Sequence, residues 1–515
     1  MKYLFVIIST LSLLFSAFGQ TPATQTDQYH KLAANVDLLP QNAIGRTLRD
    51  WLAAVNSGDG AAIAKFVESR FSANALRFQR SAAQFTEYFK KLHRQSGGLD
   101  VVSFTPAAGA GPTAMLVKAR NGDAYARITA GMDRAEPEKL SGLGIDRARS
   151  PNASISTSRP AALTEKSVIS DIEAHLAKSA AEGLFSGVVM IAKDDRVLLQ
   201  NAYGFADREA RIPNSLETKF HLASIGKMFT AAAIAQLVTA GKISFDDTVG
   251  KAYPDFPVPE IAQKITIRQL LTHSAGLGTF FESPGFKRGK VFRNAAEQIE
   301  VYKNEKLFFE PGTGWRYSNA GYALLAAIIE HHSGKTYPEY LRENIFRPLN
   351  MRDTYTAVPG AAEPGASVFY RQSPDDPMGI EPYDGDRDLA KGQVMGFGGG
   401  FSNAGDLFKF LRAYRTGKLL GKEMTEQLFS FSVNQDASGS RRSALGVVEY
   451  QVNGETIRGH VGGSRSEVEM LWNSGYTVII MTNVQPPTVQ AFSGPIIDLL
   501  TKQAALRTGS PPRIR

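Results

Sequence analysis

The chain has 515 residues, with 58 lysines and arginines against 50 aspartates and glutamates, and no cysteine. That length allows two or three domains, and a formal charge of +8 from scattered residues gives no basic run able to track a nucleic-acid backbone. Without cysteine there are no disulfides, and every thiol mechanism is excluded.

Lys2 is followed by an apolar run, Tyr3 to Phe15, that is too short to span a bilayer comfortably. With the small residues Ser16, Ala17 and Gly19 behind it, the stretch 1–19 reads as a secretory signal cleaved near Gly19-Gln20. No later stretch is apolar for long enough to be a transmembrane helix. The expectation is a secreted or periplasmic protein without a membrane span after signal cleavage.

Residues 20–146 read as a small α+β domain. Ala43–Asn56 and Gly60–Arg70 carry helical periodicity, with Ser57-Gly58-Asp59-Gly60 as stop and restart, and Phe85–Arg94 is a third helix. Asp100–Phe104, Thr113–Lys118, Ala124–Ile128 and Lys139–Ile145 read as strands, with Asn121-Gly122 as a hairpin turn. Helices first and an antiparallel sheet after resembles the cone-shaped NTF2-like (SnoaL-like) domains. The pattern nominates no catalytic group here, and points to a spacer or partner-binding role. Residues 147–162, rich in serine and proline without apolar periodicity, form a linker.

A second domain, 163–508, opens with an amphipathic helix, Val168–Ala181, and strands Gly187–Ala192 and Arg196–Gly204 around Asp194-Asp195. His221 to Ala233 then reads as the start of a buried, alanine-rich helix. Ser224-x-x-Lys227 inside it puts a hydroxyl and an amine on one helical face, one turn apart. A serine needs a base within hydrogen-bond reach, and a lysine qualifies only where a dry neighbourhood lowers its pKa. By itself the tetrad is a common accident of composition. Two companions change its weight.

The first companion is Tyr317-Ser318-Asn319, in a turn before the apolar helix Leu324–Ile329. A tyrosine there can shuttle a proton, and an asparagine can bond a carbonyl. The second is His460-Val461-Gly462-Gly463, reached through strands Val447–Val452 and Glu455–Arg458 around Asn453-Gly454. A further hairpin, Val468–Trp472 into Thr477–Thr482, completes an antiparallel sheet. Glycines at a strand end let substrate backbone approach closely.

With Ser224-x-x-Lys227, Tyr317-x-Asn319 and His460-x-Gly462 in this order, residues from about 165 to 505 resemble the serine β-lactamase-like family. That family holds class C β-lactamases, D,D-peptidases (low-molecular-weight penicillin-binding proteins) and related esterases. Leu270-Leu271-Thr272-His273-Ser274-Ala275-Gly276 and Pro348-Leu349-Asn350-Met351 match its other landmarks. The resemblance implies a multidomain protein of the α+β or α/β class, with an antiparallel sheet flanked by helices and an all-helical region. It implies that Ser224 is acylated, with Lys227 its proton acceptor or electrostatic support and Tyr317 the partner base that protonates the leaving group. Asn319 would hold the substrate's amide or acyl side chain, and His460 and Gly462 its carboxylate end. The N–H groups of Ser224 and Gly463 would form the oxyanion hole. Whether Lys227 or Tyr317 takes the first proton stays open at this stage.

One departure bears on the substrate. Class C enzymes carry Lys-Thr-Gly where this chain has His460-Val461-Gly462. The missing hydroxyl predicts a weak grip on a substrate carboxylate, improved by Val461→Thr, and by lowering the pH through histidine's usual value of about 6.5. The reading is a serine hydrolase acting on an amide or ester of a D-amino acid or small acyl compound, peptidoglycan-derived material included. A class C-type β-lactamase is the alternative within the class, and a slowly acylating penicillin-binding sensor the alternative outside it. No cofactor or metal is implied: there is no His-Glu-x-x-His, adjacent His331 and His332 point to different helix faces, and no Gly-x-Ser-x-Gly elbow occurs. His273 reads as a structural hydrogen-bonder beneath the site.

Overall fold

The computed structural model describes residues 35–107, 112–150, 163–287, 290–356, 364–383 and 394–508. The expected signal at 1–19 and most of the expected linker lie outside them. Two compact units emerge, Met1–Ala153 with Arg371–Glu381, and Ser154–Tyr370 with Pro382–Arg515.

In the first unit, α1 (Ala43–Ser57), α2 (Gly60–Arg70), α3 (Ala73–Phe78) and α4 (Ala82–Ser96) precede four strands. Each helix starts where a side chain can take an orphan amide: Asn42, Asp59, Ser72 and Ser81 all cap, and Ser81 completes a capping box with Gln84. The strands β1 (Leu99–Thr105), β2 (Thr113–Ala119), β3 (Tyr125–Met132) and β4 (Leu140–Ala148) pair in sequence order, all antiparallel. Alternate residues of β2 are buried, so one face of the sheet covers a core with Trp51, Phe71, Phe85 and Phe89 at its centre. The short helix α3 went unread in the sequence because its six residues are too few to show a period. An excursion from the later chain, Arg371–Glu381, also belongs to this unit, through Gln95 Nε2 to Asp376 Oδ1 (2.7 Å) and Met378 against the core.

The second unit is built on an eight-stranded antiparallel sheet. Its strands are β5 (Gly187–Lys193), β6 (Arg196–Tyr203), β7 (Ser432–Asn434), β8 (Arg441–Ala444), β9 (Val448–Val452), β10 (Glu455–Gly462), β11 (Ser466–Leu471) and β12 (Tyr476–Thr482). The order is β7-β8-β9-β10-β11-β12-β5-β6, so the N-terminal hairpin closes onto the last strand. Alternation sorts the side chains onto two faces. Val188, Met190, Val468, Met470, Ile479 and Met481 join the larger core, whereas Val189, Ile191, Leu471, Val478 and Ile480 join a second cluster with the helices Glu165–Ala181 and Gln490–Thr508. β12 is buried on both faces throughout.

The larger core surrounds α5 (Gly226–Thr239), buried without a break from Gly226 to Ala235. A helix apolar on every side has no solvent face, so it sits inside the fold. The helical region and α6 (Asn319–Ser333) pack around it. The expected fold class, an antiparallel sheet flanked by helices plus a helical region, is the one observed.

Candidate active site

Ser224 does not lie on the α-helix as expected. It occupies a 3-10 turn, Ala223–Ile225, and the α-helix starts at Gly226. The spacing of three still works, because a 3-10 turn brings residues i and i+3 into line. Lys227 Nζ stands 3.3 Å from Ser224 Oγ.

Lys227 is fully buried. Its Nζ donates to Asn319 Oδ1 at 2.8 Å and to the Phe397 carbonyl. The rings of Tyr317 (4.7 Å), Tyr322 (5.4 Å) and Phe397 (5.9 Å) wall it in. Burial holds its pKa well below the ordinary lysine value. Three polar neighbours meet its Nζ. Two are carbonyl oxygens, which only accept, and together they use two N–H bonds. The third, the Ser224 hydroxyl, can donate to the lone pair of a neutral amine.

Asn319 is the first residue of α6, and Ser318 caps that helix by accepting from the Gly321 N–H at 2.9 Å. This cap turns Tyr317 and Asn319 toward the nucleophile. Burial pushes the Tyr317 phenol above its usual pKa, offset in part by a hydrogen bond with Ser224. His273 packs against Tyr317, ring centroids 4.5 Å apart and planes tilted by 35°, and its Nδ1 accepts from the Ser318 N–H at 3.1 Å. The structural role read for it in the sequence is the one its contacts describe.

The third motif ends β10. His460 is 6 % exposed, its ring centroid 6.5 Å from that of Tyr317, and its Nδ1 bonds the Val461 carbonyl at 2.9 Å. Burial, aided by nearby Lys227, lowers its pKa to about 3. That corrects the expected pH response, because the ring stays neutral far below 6.5. Val461 points the other way, into the cluster behind the sheet. A threonine hydroxyl at 461 would be on the wrong face, so the expected gain from Val461→Thr is withdrawn.

Glycines carry the close approaches. A Cβ on Gly462 would sit 2.2 Å from the Leu222 carbonyl oxygen, and one on Gly463 would sit 3.4 Å from Ala223 Cβ. The strand end is thereby laid against the nucleophile turn. A run of three glycines, Gly398-Gly399-Gly400, lies against the same turn. All three have positive φ, the Gly399 N–H donates to the Ala223 carbonyl at 3.2 Å, and the Leu222 N–H donates to the Gly400 carbonyl at 2.9 Å. This loop, with the Phe397 carbonyl on Lys227, is the missing support of the site. Three consecutive glycines were the only available signal.

Among the described residues no group of three or more histidine, aspartate or glutamate side chains is placed to hold a metal, and no helix is long and apolar enough to cross a membrane.

A serine beside a buried lysine, with a tyrosine and a histidine strand across the cleft, defines a serine-hydrolase site of the β-lactamase-like kind. The chain belongs to the beta-lactamase family, whose model matches residues 170–502. Penicillin-binding protein 4* of Bacillus subtilis (strain 168) is 37% identical over 176 residues, 33% of this chain and 38% of that protein. The D-aminopeptidase of Brucella anthropi is 34% identical over 169 residues, 32% of each chain. Esterase EstB of Burkholderia gladioli is 33% identical over 184 residues, 33% of this chain and 46% of that one. The chain thus spans less than half of each of these curated relatives. The crystal structure of penicillin binding protein from Bacillus halodurans superposes with a TM-score of 0.53, at 25% identity over 64% of this chain and 98% of that one.

Proposed function

We propose that this protein is a serine hydrolase that forms an acyl-enzyme on Ser224 with small esters or amides, D-amino-acid derivatives among them. The observation that carries the reading is Lys227: it is buried, burial lowers its pKa, and its Nζ stands 3.3 Å from Ser224 Oγ, where the neutral amine can take the hydroxyl proton. Lys227 is therefore the first base. Tyr317, whose phenol resists ionisation, is the proton donor to the leaving group. The proton leaving Ser224 passes to Lys227 and, through Tyr317, to the departing amine or alkoxide. The N–H groups of Ser224 and Gly463 stabilise the oxyanion. Asn319 spends its Oδ1 on Lys227, which leaves its NH₂ for a substrate carbonyl. In deacylation, water replaces the leaving group and the same transfers run in reverse.

A neutral His460 disfavours the β-lactamase alternative, since a β-lactam or D-Ala carboxylate is best met by a charged donor. The loss is roughly 1.5–3 kcal/mol, on the order of ten- to a hundredfold. Nitrocefin turnover is accordingly expected to be slower, by that factor or more, than that of short-chain p-nitrophenyl esters. The ratio of kcat/KM for a carboxylate-bearing ester to that for its neutral methylated analogue should stay flat between about pH 5 and 8. A ratio rising as pH falls through 6.5 would show that His460 titrates near its ordinary value. A panel of p-nitrophenyl esters, D-Ala-D-Ala peptides, D-aminoacyl amides and nitrocefin makes the comparison.

The export reading, secreted or periplasmic, is supported by Lys2 and the apolar run behind it, and N-terminal sequencing of exported protein tests it. The first unit is read as NTF2-like on its pattern of helices followed by a four-stranded antiparallel meander, with a spacer or partner-binding role.

A further inference from the structure

A cavity of about 10 Å³ lies behind Tyr317, lined by His273, Tyr317, Tyr322, Gln435, Ser443 and His460 among others. That is the space of about one water centre, and water settles only where it finds two to four polar partners. The hydrogen bonds around the cavity determine what faces it.

Ser443 Oγ accepts from Trp315 Nε1 at 2.8 Å and from Gln435 Nε2 at 3.1 Å. With both lone pairs engaged, its remaining valence is the O–H. His273 accepts at Nδ1 from the Ser318 N–H, so the neutral ring carries its hydrogen on Nε2. His460 has the opposite tautomer: its Nδ1 faces a carbonyl, which only accepts, so Nδ1 holds the hydrogen and Nε2 the lone pair. Burial keeps both rings neutral. The side chains that line this one water-sized space thus own two donors, Ser443 O–H and His273 Nε2–H, and two acceptors, His460 Nε2 and Tyr317 Oη. Four partners of this kind are what a single water molecule satisfies.

We propose that this cavity is a water site, built by His273, Ser443 and His460, whose water orients Tyr317 as proton donor. By donating one O–H to Tyr317 Oη from behind, the water turns the phenol's own hydrogen toward Ser224. As Tyr317 gives that hydrogen to the leaving group and takes the one held by Lys227, the same bond steadies the charge passing through the phenolic oxygen. The water neither gains nor loses a proton overall. Ser443 is a positioning residue in this scheme, acting through the water. The assignment of a leaving-group role to Tyr317 rests on the proposed hydrolase function, whereas the water site itself does not.

Two measurements test it. A crystal structure of the full chain at a resolution that orders internal waters should show one water within hydrogen-bond distance of His273 Nε2, Ser443 Oγ, His460 Nε2 and Tyr317 Oη. An empty cavity overturns the proposal, whatever the enzyme's activity. Ser443→Ala removes one donor to that water. The ratio of kcat/KM for a methyl ester to that for the p-nitrophenyl ester of the same acid should then fall about tenfold, because p-nitrophenolate leaves without needing a proton. An ordered water with an unmoved ratio overturns the orienting role. Should Ser443→Ala fail to fold, the density in the unaltered protein decides alone. If the unaltered protein neither hydrolyses these esters nor acylates, it is the proposed function that fails, and the density still reports on the site.

Discussion

Lys227→Ala is expected to lower kcat/KM on a p-nitrophenyl ester by at least about a hundredfold, the usual scale for loss of acid–base help. The variant removes the only amine beside Ser224 among the described residues and leaves Asn319 Oδ1 and the Phe397 carbonyl without their donor. Tyr317→Phe is expected to cost a similar factor on substrates with poor leaving groups. Because one proton travels through both residues, the double variant should lose much less than the product of the two single losses. Steady-state kinetics on the four proteins measures the cycle. Fully multiplicative losses would mean that the two side chains act independently, contrary to the relay drawn here. The pH profile adds a sign: the base must be neutral, so kcat/KM should rise with pH through the lowered pKa of Lys227 and then level off.

Gly462→Ala is the second large effect. The added carbon would lie 2.2 Å from the Leu222 carbonyl oxygen, a backbone atom that moves only with the turn carrying Ser224. Either β10 retreats or the nucleophile turn does. The strain costs roughly 1–3 kcal/mol of stability. A displacement of about 1 Å at the reacting groups costs on the order of a hundredfold in rate. Thermal unfolding and ester kinetics read the two consequences separately. The same substitution at Gly405, in the first turn of the helix Ala404–Arg415, where the new carbon would meet only Asn403 Oδ1 at an ordinary 3.5 Å, should instead leave stability unchanged or raise it by about 0.5 kcal/mol. Equal effects at the two positions would refute the close-approach argument.

These expectations draw on parts of the molecule that differed in how plainly the sequence showed them. The strands β5, β9, β10 and β12 were readable because turn residues flank them: Asp194-Asp195, Asn453-Gly454 and Asn473-Ser474-Gly475. Ser224, Lys227, Tyr317 and Asn319 were readable because each pair is local, held by one turn or one helix start. What stayed hidden was set by distant chain. The Phe397 carbonyl meets Lys227 across 170 residues, and nothing in the run Met395 to Gly400 names its partner. The direction of Val461 depends on which face of β10 each core covers, which no local pattern reveals. The low pKa of His460 comes from burial beside Lys227, invisible in a three-residue motif. Arg371–Glu381 joins the first unit through Gln95 and Met378, an attachment that a contiguous reading of domains has no means to anticipate.

The central claim is that Ser224 is the nucleophile, and covalent labelling tests it most directly. The full chain is treated with a fluorophosphonate or a penicillin, its intact mass measured, and the adduct mapped by peptide mass spectrometry. One adduct, on the peptide holding Ser224, is the predicted result. Ser318 and Ser402 are the informative controls, because both hydroxyls are buried and already committed: Ser318 to the Gly278 carbonyl and the Gly321 amide, Ser402 to Thr354 and the Asn403 carbonyl. A label on either of them, with Ser224 unmodified, would contradict the account.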